Sequence, residues 1–199
     1  MRHLAQGVDR FQRKVFPVKA GLFTHLATTH QPSTMFISCS DARVVPELIT
    51  QADPGELFVV RTAGNLVPAY TSSADGVTAS IEYAIVVLGV KDIIVCGHSA
   101  CGAMTALAEG HDLTSTPAIA GWLRHATAAQ VLTEPAESGQ KVAALVRENV
   151  AAQLANLATH PSAAHALAED SLRMHGWIFD IPTGTVEELD TGTHSALAA

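Results

Sequence analysis

The chain has 199 residues, of which 48% are hydrophobic, and a formal net charge of −7. This length and apolar content are sufficient for one domain with a complete core. The acidic balance, with no basic stripe to offset it, excludes a typical nucleic-acid-binding protein. The three cysteines are an odd number, which disfavours a disulfide framework and favours thiols that stay reduced.

The N-terminal region and the apolar stretches bear on localisation. Residues 1–16 mix charged, polar and apolar side chains and lack the continuous apolar segment of a secretory signal. The longest apolar stretch, residues 84–90, is too short to span a bilayer and leads directly into Lys91. The sequence therefore predicts a cytoplasmic protein with no membrane partner.

Hydrophobic periodicity predicts helices that alternate with short apolar strands. In chain order the predicted elements are helices over 3–15 and 17–29, strands over 35–38 and 57–61, a helix over 75–88, a strand over 93–96, helices over 99–109, 116–130 and 142–159, a short helix from Pro161 and a last strand over 177–181. Strands joined by crossovers of this length pair in parallel. The predicted fold class is α/β, with a mainly parallel sheet of four to five strands flanked by helices.

The chain shows no internal repeat, low-complexity tract or linker, so we predict a single domain over residues 1–199. It consists of an N-terminal helical arm, residues 1–30, and an α/β core, residues 31–199. The two helices of the arm carry many apolar residues. We expect them to pack on a partner subunit, although the same pattern is compatible with helices that cover their own sheet.

Thiols and an imidazole follow two of the predicted strands. Cys39 comes directly after the strand over 35–38, and His98 and Cys101 follow the strand over 93–96. Ligands collect outside the carboxyl ends of parallel strands, so these side chains are expected to meet there. A helical turn would also place His98 and Cys101, three residues apart, on one face. Two cysteines and one histidine form a zinc set with one open position, as in catalytic sites, so the core is predicted to bind zinc.

Two charged residues beyond Cys39 fit a catalytic role. Two thiolates cancel the formal charge of Zn²⁺, so neighbouring groups must help to hold a hydroxide at the open position. Asp41 can accept the hydrogen bond of that hydroxide, and the guanidinium of Arg43 can keep the carboxylate ionised and oriented. The alternative is structural: Asp41 caps a helix that starts near Val44, and Arg43 is its surface partner.

A rival motif overlaps the second group. Residues 97–101, Gly-His-Ser-Ala-Cys, nearly match the Gly-x-Ser-x-Gly nucleophile elbow of α/β-hydrolases. The final glycine is replaced by Cys101, whose side chain would crowd the turn. His175 with Asp170 or Asp180 would complete a triad only in the wrong chain order or by chance proximity. We therefore favour the metal interpretation.

The sequence around both motifs resembles the β-class carbonic anhydrases. The stretches that carry the resemblance are residues 39–43, 56–65, 96–104 and 175–180. The first and third are similar to the family's two metal motifs, and the last is similar to its last core strand. The likeness is greatest to the bacterial form associated with cyanate metabolism, and it is carried by residues 36–39, 147–150 and 153–157.

The resemblance implies reversible hydration of CO₂ to bicarbonate and a proton by a zinc-bound hydroxide. It implies that Cys39, His98 and Cys101 bind Zn²⁺. It also implies that Asp41 and Arg43 form a dyad that leaves the fourth position to water. Two alternatives remain open: the same zinc site hydrolysing CS₂ or COS, and an inactive zinc-bound regulatory or scaffolding homologue. The intact dyad argues against the inactive homologue, since a scaffold needs no carboxylate beside an open metal position.

The resemblance further implies a substrate pocket and an oligomer. The positions that match the pocket lining are Gln31, Phe58, Ala63 and Tyr83, several of them across a dimer interface. The backbone N–H of Gly102 is expected to face an oxygen of CO₂ or bicarbonate. The implied assembly is a homodimer, or a tetramer or larger, in which a partner's N-terminal helices wrap over each subunit.

One departure from the family concerns inhibition. A subgroup of the family is inhibited by bicarbonate at a second site built from Trp, Arg and Tyr. In this sequence Phe36 and Phe179 take the Trp and Tyr positions, and only Arg61 remains. We predict that this inhibition is absent.

Overall fold

The computed structural model describes residues 1–73, 75–133 and 140–190. The chain forms two compact units, Met1–Gln31 and Pro32–Ala199. Within the described ranges, no helix combines the length and the apolar character that crossing a membrane requires.

The first unit is mostly helical. Its segments are α1 (Arg2–Arg10), a turn of π-helix (Phe11–Val15) and α2 (Phe16–Leu26). Pro17, which has no N–H to donate, lies in the first turn of α2, as predicted. The rings of Phe11, Phe16 and Phe23 contact one another, with centroids 5.4 to 6.2 Å apart. None of the residues in these three segments is buried.

The second unit is built on a five-stranded sheet. Its strands are β1 (Thr34–Cys39), β2 (Leu57–Thr62), β3 (Asp92–His98), β4 (Arg173–Phe179) and β5 (Val186–Leu189). The order across the sheet is β2-β1-β3-β4-β5; the first four strands are parallel and β5 is antiparallel to β4. The predicted α/β class with a mainly parallel sheet is confirmed. Because the chain leaves β1 toward β2 and then crosses to β3 on the other side, a crevice forms outside the carboxyl ends of β1 and β3.

Helices connect the strands. In the second unit they are α3 (Pro46–Thr50), α4 (Gly76–Glu82) with a π-helical continuation (Tyr83–Leu88), α5 (Gly102–Ala108), α6 (Pro117–Leu123), α7 (Thr127–Thr133), α8 (Lys141–Ala158) and α9 (Pro161–Ala168), with 3₁₀ turns at Ala63–Asn65 and Arg124–Ala126. Asp75 caps α4, since its carboxylate accepts hydrogen bonds from the N–H groups of Val77 and Thr78.

Helix α8 lies directly against the middle of the sheet because β3 and β4 each have a glycine at the contact. A Cβ on Gly97 would lie 2.8 Å from Val150 Cγ2, and a Cβ on Gly176 would lie 3.0 Å from Val150 Cγ1. Packing this close leaves no room for a side chain at either glycine position. As a result, polar residues of α8 come within reach of the loop that follows β2.

The central strands are buried on both faces. One face carries Met35, Ile37, Ile93 and Val95, and the other carries Phe36, Ile94 and Cys96. This is the continuous apolar pattern typical of parallel strands that are covered on two sides. The core therefore fixes the strand ends from which the polar motifs extend.

The structure differs from the predicted elements in several places, including the short helix α3, which was not among them. The prediction that the strand over 177–181 is the last one is wrong, because β5 follows it; β5 is short and carries two glutamates, so it has no apolar run. The helix predicted over 99–109 begins only at Gly102. A 3₁₀ turn interrupts the helix predicted over 116–130.

Candidate metal centre

Three buried side chains converge at the carboxyl edge of the sheet. Cys39 is the last residue of β1, His98 is the last residue of the neighbouring strand β3, and Cys101 directly precedes α5. Their ligand atoms, two Sγ and one ring nitrogen, all lie within 4.8 Å of one another. The structure thus brings together the three residues predicted as metal ligands.

The connection between His98 and Cys101 is a tight turn and not a helix. Ala100 has a φ of +53°, in the left-handed region that residues with a side chain rarely adopt. The N–H of Ser99 donates to the carbonyl oxygen of Phe179 (2.9 Å), which ties the turn to the end of β4. The expectation that a helical face aligns the two ligands is therefore wrong, since α5 starts only after Cys101.

His98 presents a nitrogen lone pair to the group. Its Nδ1 lies 2.9 Å from the carbonyl oxygen of Ser99, and because a carbonyl only accepts, Nδ1 carries the proton. In that tautomer Nε2 is an acceptor, and it is buried without a hydrogen-bond partner among the described residues. A buried lone pair of this kind is costly unless a donor or a cation meets it.

The two thiols do not ionise independently. A hydrogen bond from the Cys101 thiol lowers the pKa of Cys39 to about 4, and the N–H of Gly64, 3.4 Å from the Cys39 sulfur, acts in the same direction. The same bond, together with burial, raises the pKa of Cys101 well above its ordinary value. The pair therefore keeps one proton, and a divalent cation would allow both thiolates to form. Two sulfurs and one imidazole nitrogen are a donor set that fits Zn²⁺.

An ionised carboxylate lies beside the three ligand atoms. Asp41 Oδ1 accepts hydrogen bonds from the backbone N–H and Nε of Arg43 (2.9 Å each), and Oδ2 accepts one from Nη2 (2.6 Å). These bonds hold the pKa of Asp41 well below its usual range. Asp41 Oδ2 lies 3.9 Å from His98 Nε2. The helix-cap alternative does not apply, because α3 begins at Pro46 and no side chain caps it.

Arg43 connects the two motifs. Besides its bonds to Asp41, Nη2 of Arg43 donates to the carbonyl oxygen of Ala100 (3.0 Å). The accepting carbonyl belongs to the residue with the left-handed backbone in the turn between His98 and Cys101. The geometry of that turn and the orientation of the Asp41 carboxylate are therefore coupled through one guanidinium.

A second arginine lies at this site, and the sequence analysis connected it only with inhibition by bicarbonate. Arg61, near the end of β2, donates from Nε and Nη2 to Cys39 O (3.1 Å each). Its Nη2 also donates to the carbonyl oxygens of Asp41 (2.6 Å) and Val44 (2.7 Å). The available signal was a charged residue at the end of an apolar run, but a strand pattern does not show which carbonyls such a residue reaches.

Polar residues of α6 and α8 fix the loop after β2, and they were also missed. Trp122 Nε1 donates to Ala63 O (2.9 Å), and Asn149 Nδ2 donates to Gly64 O (3.0 Å). Gln153 Oε1 accepts a backbone N–H of the same loop (2.8 Å). Asn149 and Gln153 are fully buried, and their placement four residues apart on an otherwise apolar helix face is the signal that would have identified them. This loop also supplies the N–H that reaches the first cysteine ligand.

The residues predicted to line a substrate pocket lie in different places. Ala63 is in the loop next to the ligands, and Gly102 is the exposed first residue of α5. The rings of Phe58 and Tyr83 pair with centroids 6.0 Å apart, but Phe58 is the second residue of β2, toward the amino end of the sheet. This chain therefore does not bring the two aromatics beside its own ligands. Gln31 is the last residue of the first unit.

Ser99 and His175, which the hydrolase alternative requires as nucleophile and base, are not paired with each other in the structure. The hydroxyl of Ser99 accepts a hydrogen bond from the N–H of Ile181 (2.9 Å). The two ring nitrogens of His175 lie 2.9 Å from Glu188 Oε1 and 3.0 Å from Asp92 Oδ1. Ser99 is thus a structural residue of the turn, and the base proposed for it is bound elsewhere.

The fold and the site together define the class of the protein. It is an α/β protein with a Cys-His-Cys group, able to hold a metal ion, at the carboxyl ends of adjacent parallel strands. A carboxylate held by arginine lies beside that group.

Comparison with known proteins agrees with this class. The family model described as carbonic anhydrase matches residues 34–186. The chain is 54% identical to a carbonic anhydrase of Pseudomonas aeruginosa over 193 residues, which are 96% of this chain and 88% of the relative. It is 50% identical to carbonic anhydrase 1 of Escherichia coli O157:H7 over 196 residues, 97% of this chain and 90% of the relative.

Solved structures extend the comparison to the fold. The β-carbonic anhydrase CcaA superposes with a TM-score of 0.93 at 37% identity, covering 100% of this chain and 92% of that one. A tetrameric β-carbonic anhydrase of Sordaria macrospora superposes with a TM-score of 0.84 at 29% identity, covering 95% of this chain and 96% of that one. The chain belongs to the β-carbonic anhydrase family.

Proposed function

We propose that this protein is a zinc-dependent carbonic anhydrase that converts CO₂ and water reversibly to bicarbonate and a proton. The observation that carries the proposal is the convergence of Cys39, His98 and Cys101 beside a carboxylate that Arg43 holds in place. The names of the relatives support the same reaction. When bound, Zn²⁺ supplies Lewis-acid activation of water at neutral pH.

Cys39, His98 and Cys101 would hold Zn²⁺ with three of the four donors that such an ion takes, which would leave the remaining donor position to solvent. Asp41 is ionised and lies next to the His98 nitrogen, so it can accept a hydrogen bond from a water molecule at that position and orient it toward the substrate. Arg43 binds both carboxylate oxygens and so keeps Asp41 from becoming a fourth protein ligand. The dyad therefore holds the site open.

We propose that the substrate pocket is completed by a second copy of the chain. The paired rings of Phe58 and Tyr83 lie away from the ligands of their own chain and are partly exposed, so they are free to face the site of a partner subunit. Ala63 and the N–H of Gly102 contribute from the same chain as the ligands, and Gln31 completes the lining. A small apolar wall with one amide donor suits a linear, uncharged molecule such as CO₂.

The helical arm supports a homodimer or a larger oligomer. Leu4, Val8, Phe11 and Val15 follow one another at helical spacing, and each is at least 40% exposed. An exposed apolar stripe of this kind marks an interaction surface. We propose that the arm, residues 1–30 of a single 199-residue domain, packs on a partner subunit.

We also propose that the protein is the cytoplasmic form that accompanies cyanate metabolism. All three cysteines are free thiols, which is typical of a reducing compartment. Cell fractionation tests the location. On deletion of the gene, loss of cyanate-dependent growth with rescue by added CO₂ would assign the protein to cyanate metabolism, and unchanged growth would favour a role in carboxylation supply or pH balance.

Substitution of Asp41 by Asn tests the proposed function. Asp41→Asn keeps the shape of the side chain but removes its charge, so we expect zinc to stay bound while CO₂ hydration, followed by stopped flow, falls about 10–100-fold. Asp112→Asn is the control, because Asp112 is an exposed loop carboxylate that accepts a hydrogen bond from the N–H of Thr114, a residue outside the two motifs. Equal rates in the two variants would refute the role of Asp41. Turnover of CS₂ or COS without CO₂ hydration, or zinc binding with neither activity, would favour the two alternatives.

A further inference from the structure

We infer that Arg61 is a positioning residue for the metal centre: it holds the backbone from which Cys39 and Asp41 extend. The inference rests on the proposed function and assigns to this residue a part that the two motifs do not include. The guanidinium of Arg61 donates its side-chain hydrogen bonds to backbone carbonyl oxygens of a single segment, residues 39–44.

The segment from Cys39 to Val44 has little support of its own. It leaves β1 at Cys39 and reaches α3 only at Pro46. Apart from the Asp41–Arg43 bonds, its backbone is held by Ser40 N, which donates to Thr62 O (2.9 Å), and by Val44 N, which donates to Asp41 O (3.0 Å). A loop held by so few hydrogen bonds needs further contacts to keep the Cys39 thiol and the Asp41 carboxylate in fixed relative positions.

Arg61 supplies those contacts from the neighbouring strand. It lies opposite Ser38 in the β1–β2 ladder, one residue before the end of the paired region. From there its guanidinium reaches Cys39 O, Asp41 O and Val44 O at 2.6 to 3.1 Å. These are charge-assisted bonds, and the planar arrangement of the donors fixes the three carbonyls relative to one another.

Arg43 and Arg61 therefore have different roles at residues 39–43. Arg43 orients the Asp41 side chain, whereas Arg61 orients the main chain on both sides of it. A change in the Asp41 backbone would move the carboxylate relative to His98, and a change at Cys39 would move one sulfur relative to the other two ligand atoms. Arg61 thus acts on metal affinity and on turnover without touching the metal or the substrate.

Substitution of Arg61 tests the inference, with Arg173→Gln as the matched control. Arg173 also extends from a strand and makes two hydrogen bonds through its guanidinium, but its partner is Asp92 at the amino end of the sheet. In metal-free protein, we expect Arg61→Gln to speed hydrogen exchange of the amides of residues 40–44 about tenfold, while Arg173→Gln leaves them unchanged. In Arg61→Lys we expect a smaller increase, because an ammonium can keep part of the bonds to the carbonyls but cannot reach all three in the same geometry.

The zinc-loaded proteins give the second readout. Competition with a chromophoric chelator should show zinc affinity reduced about 10–100-fold in Arg61→Gln, and kcat should fall while KM changes little. Unchanged exchange and zinc affinity in both Arg61 variants, or an effect confined to inhibition by bicarbonate, would overturn the inference. If Arg61→Gln does not fold, Arg61→Lys decides between the outcomes. If the Arg61 variants show these changes in loop exchange but the parent protein shows no CO₂ hydration, the proposed function fails and the role of Arg61 in the loop stands.

Discussion

At the scale of single residues, the position of one carboxylate decides what the metal group can do. Asp41 Oδ2 lies 3.9 Å from His98 Nε2, so the carboxylate borders the proposed metal position. Arg43 donates to both oxygens of Asp41, and its further bond to Ala100 O connects the guanidinium to the second motif. The open position proposed for water therefore depends on a side chain that is half exposed.

Removal of Arg43 should change the pH dependence of stability and lower the rate of the reaction. Arg43 lowers the pKa of Asp41, so the carboxylate stays ionised far into the acid range, and the bonds between the two stabilise the fold above the ordinary pKa of aspartate and are lost as the pH falls. In Arg43→Gln the pKa of Asp41 rises toward its ordinary value. We expect the stability difference between the parent protein and Arg43→Gln, measured by urea unfolding, to shrink as the pH falls below the ordinary pKa of aspartate. We expect kcat at neutral pH to fall about 10–100-fold, because the carboxylate is no longer held in place. A stability difference that does not change with pH, together with an unchanged kcat, would contradict the role given to Arg43.

Residue types and spacing were enough to predict which side chains make up the site, but not what supports them. Cys39, His98 and Cys101 are recognisable because thiols and imidazoles after apolar strands are rare and chemically specific. Arg61 acts through carbonyl groups, which are the same in every residue, so no pattern in the sequence identifies its partners. The left-handed backbone of Ala100 was equally hidden, because alanine normally avoids that conformation.

At the scale of elements, the site depends on the direct contact between α8 and the sheet. The contact requires glycine in β3, and it places the buried amides of Asn149 and Gln153 against the loop that follows β2. If a side chain on β3 moved α8 away from the sheet, the amides of Asn149 and Gln153 would lose their hydrogen-bond partners. Buried polar groups that lose their partners are costly, so packing and polar contacts favour the same position of the helix.

A methyl group at this contact should be destabilising. Gly97→Ala places a Cβ 2.8 Å from Val150 Cγ2, and we expect the free energy of unfolding to fall by about 1–3 kcal/mol. Gly76→Ala is the matched control, because a Cβ on Gly76 meets no atom within 4 Å and the residue lies at the start of α4. Urea unfolding of both variants measures the difference. A loss of stability at Gly97 no larger than that at Gly76 would show that α8 has room to move.

Hydrophobic periodicity predicted most helices and strands. It did not predict β5 or the start of α5, which depend on contacts with β4. The four parallel strands were predicted from apolar runs, since buried strands need them. β5 has four residues, two of them glutamates, and forms only because the turn after β4 returns the chain to the edge of the sheet. The start of α5 was predicted three residues too early. Helix propensity favours a helix through Ala100, but the hydrogen bond from Ser99 N to Phe179 O holds this part of the chain in a turn.

At the scale of the whole molecule, the separation of the aromatic pair from the ligands is the basis of the proposal that the site is shared between subunits. Phe58 and Tyr83 contact each other near the amino end of the sheet, whereas the ligands lie at the carboxyl end. A single subunit therefore holds the metal group and the apolar wall of the pocket in different places. The resemblance already implied that several pocket positions lie across a dimer interface, and the position of Phe58 in β2 explains why this pair is separate from the ligands of its own chain.

Mixing two inactive variants should restore activity if the site is shared. Asp41→Asn subunits retain Tyr83, and Tyr83→Ala subunits retain Asp41, so a mixed dimer has one site with both residues intact. After unfolding and refolding together, we expect the mixture to exceed the mean CO₂ hydration rate of the two separate variants. Refolding of each variant alone is the control. No gain on mixing would place Tyr83 in the site of its own chain or outside any site.

The claim on which the account depends is that Cys39, His98 and Cys101 hold one zinc ion that the reaction requires. Titration of metal-free protein with Zn²⁺, with CO₂ hydration followed by stopped flow, tests it most directly. Activity should rise from the background rate in proportion to added zinc and level off at about one equivalent per chain. Full hydration activity in the metal-free protein, or one tightly bound equivalent of zinc without activity, would contradict the account.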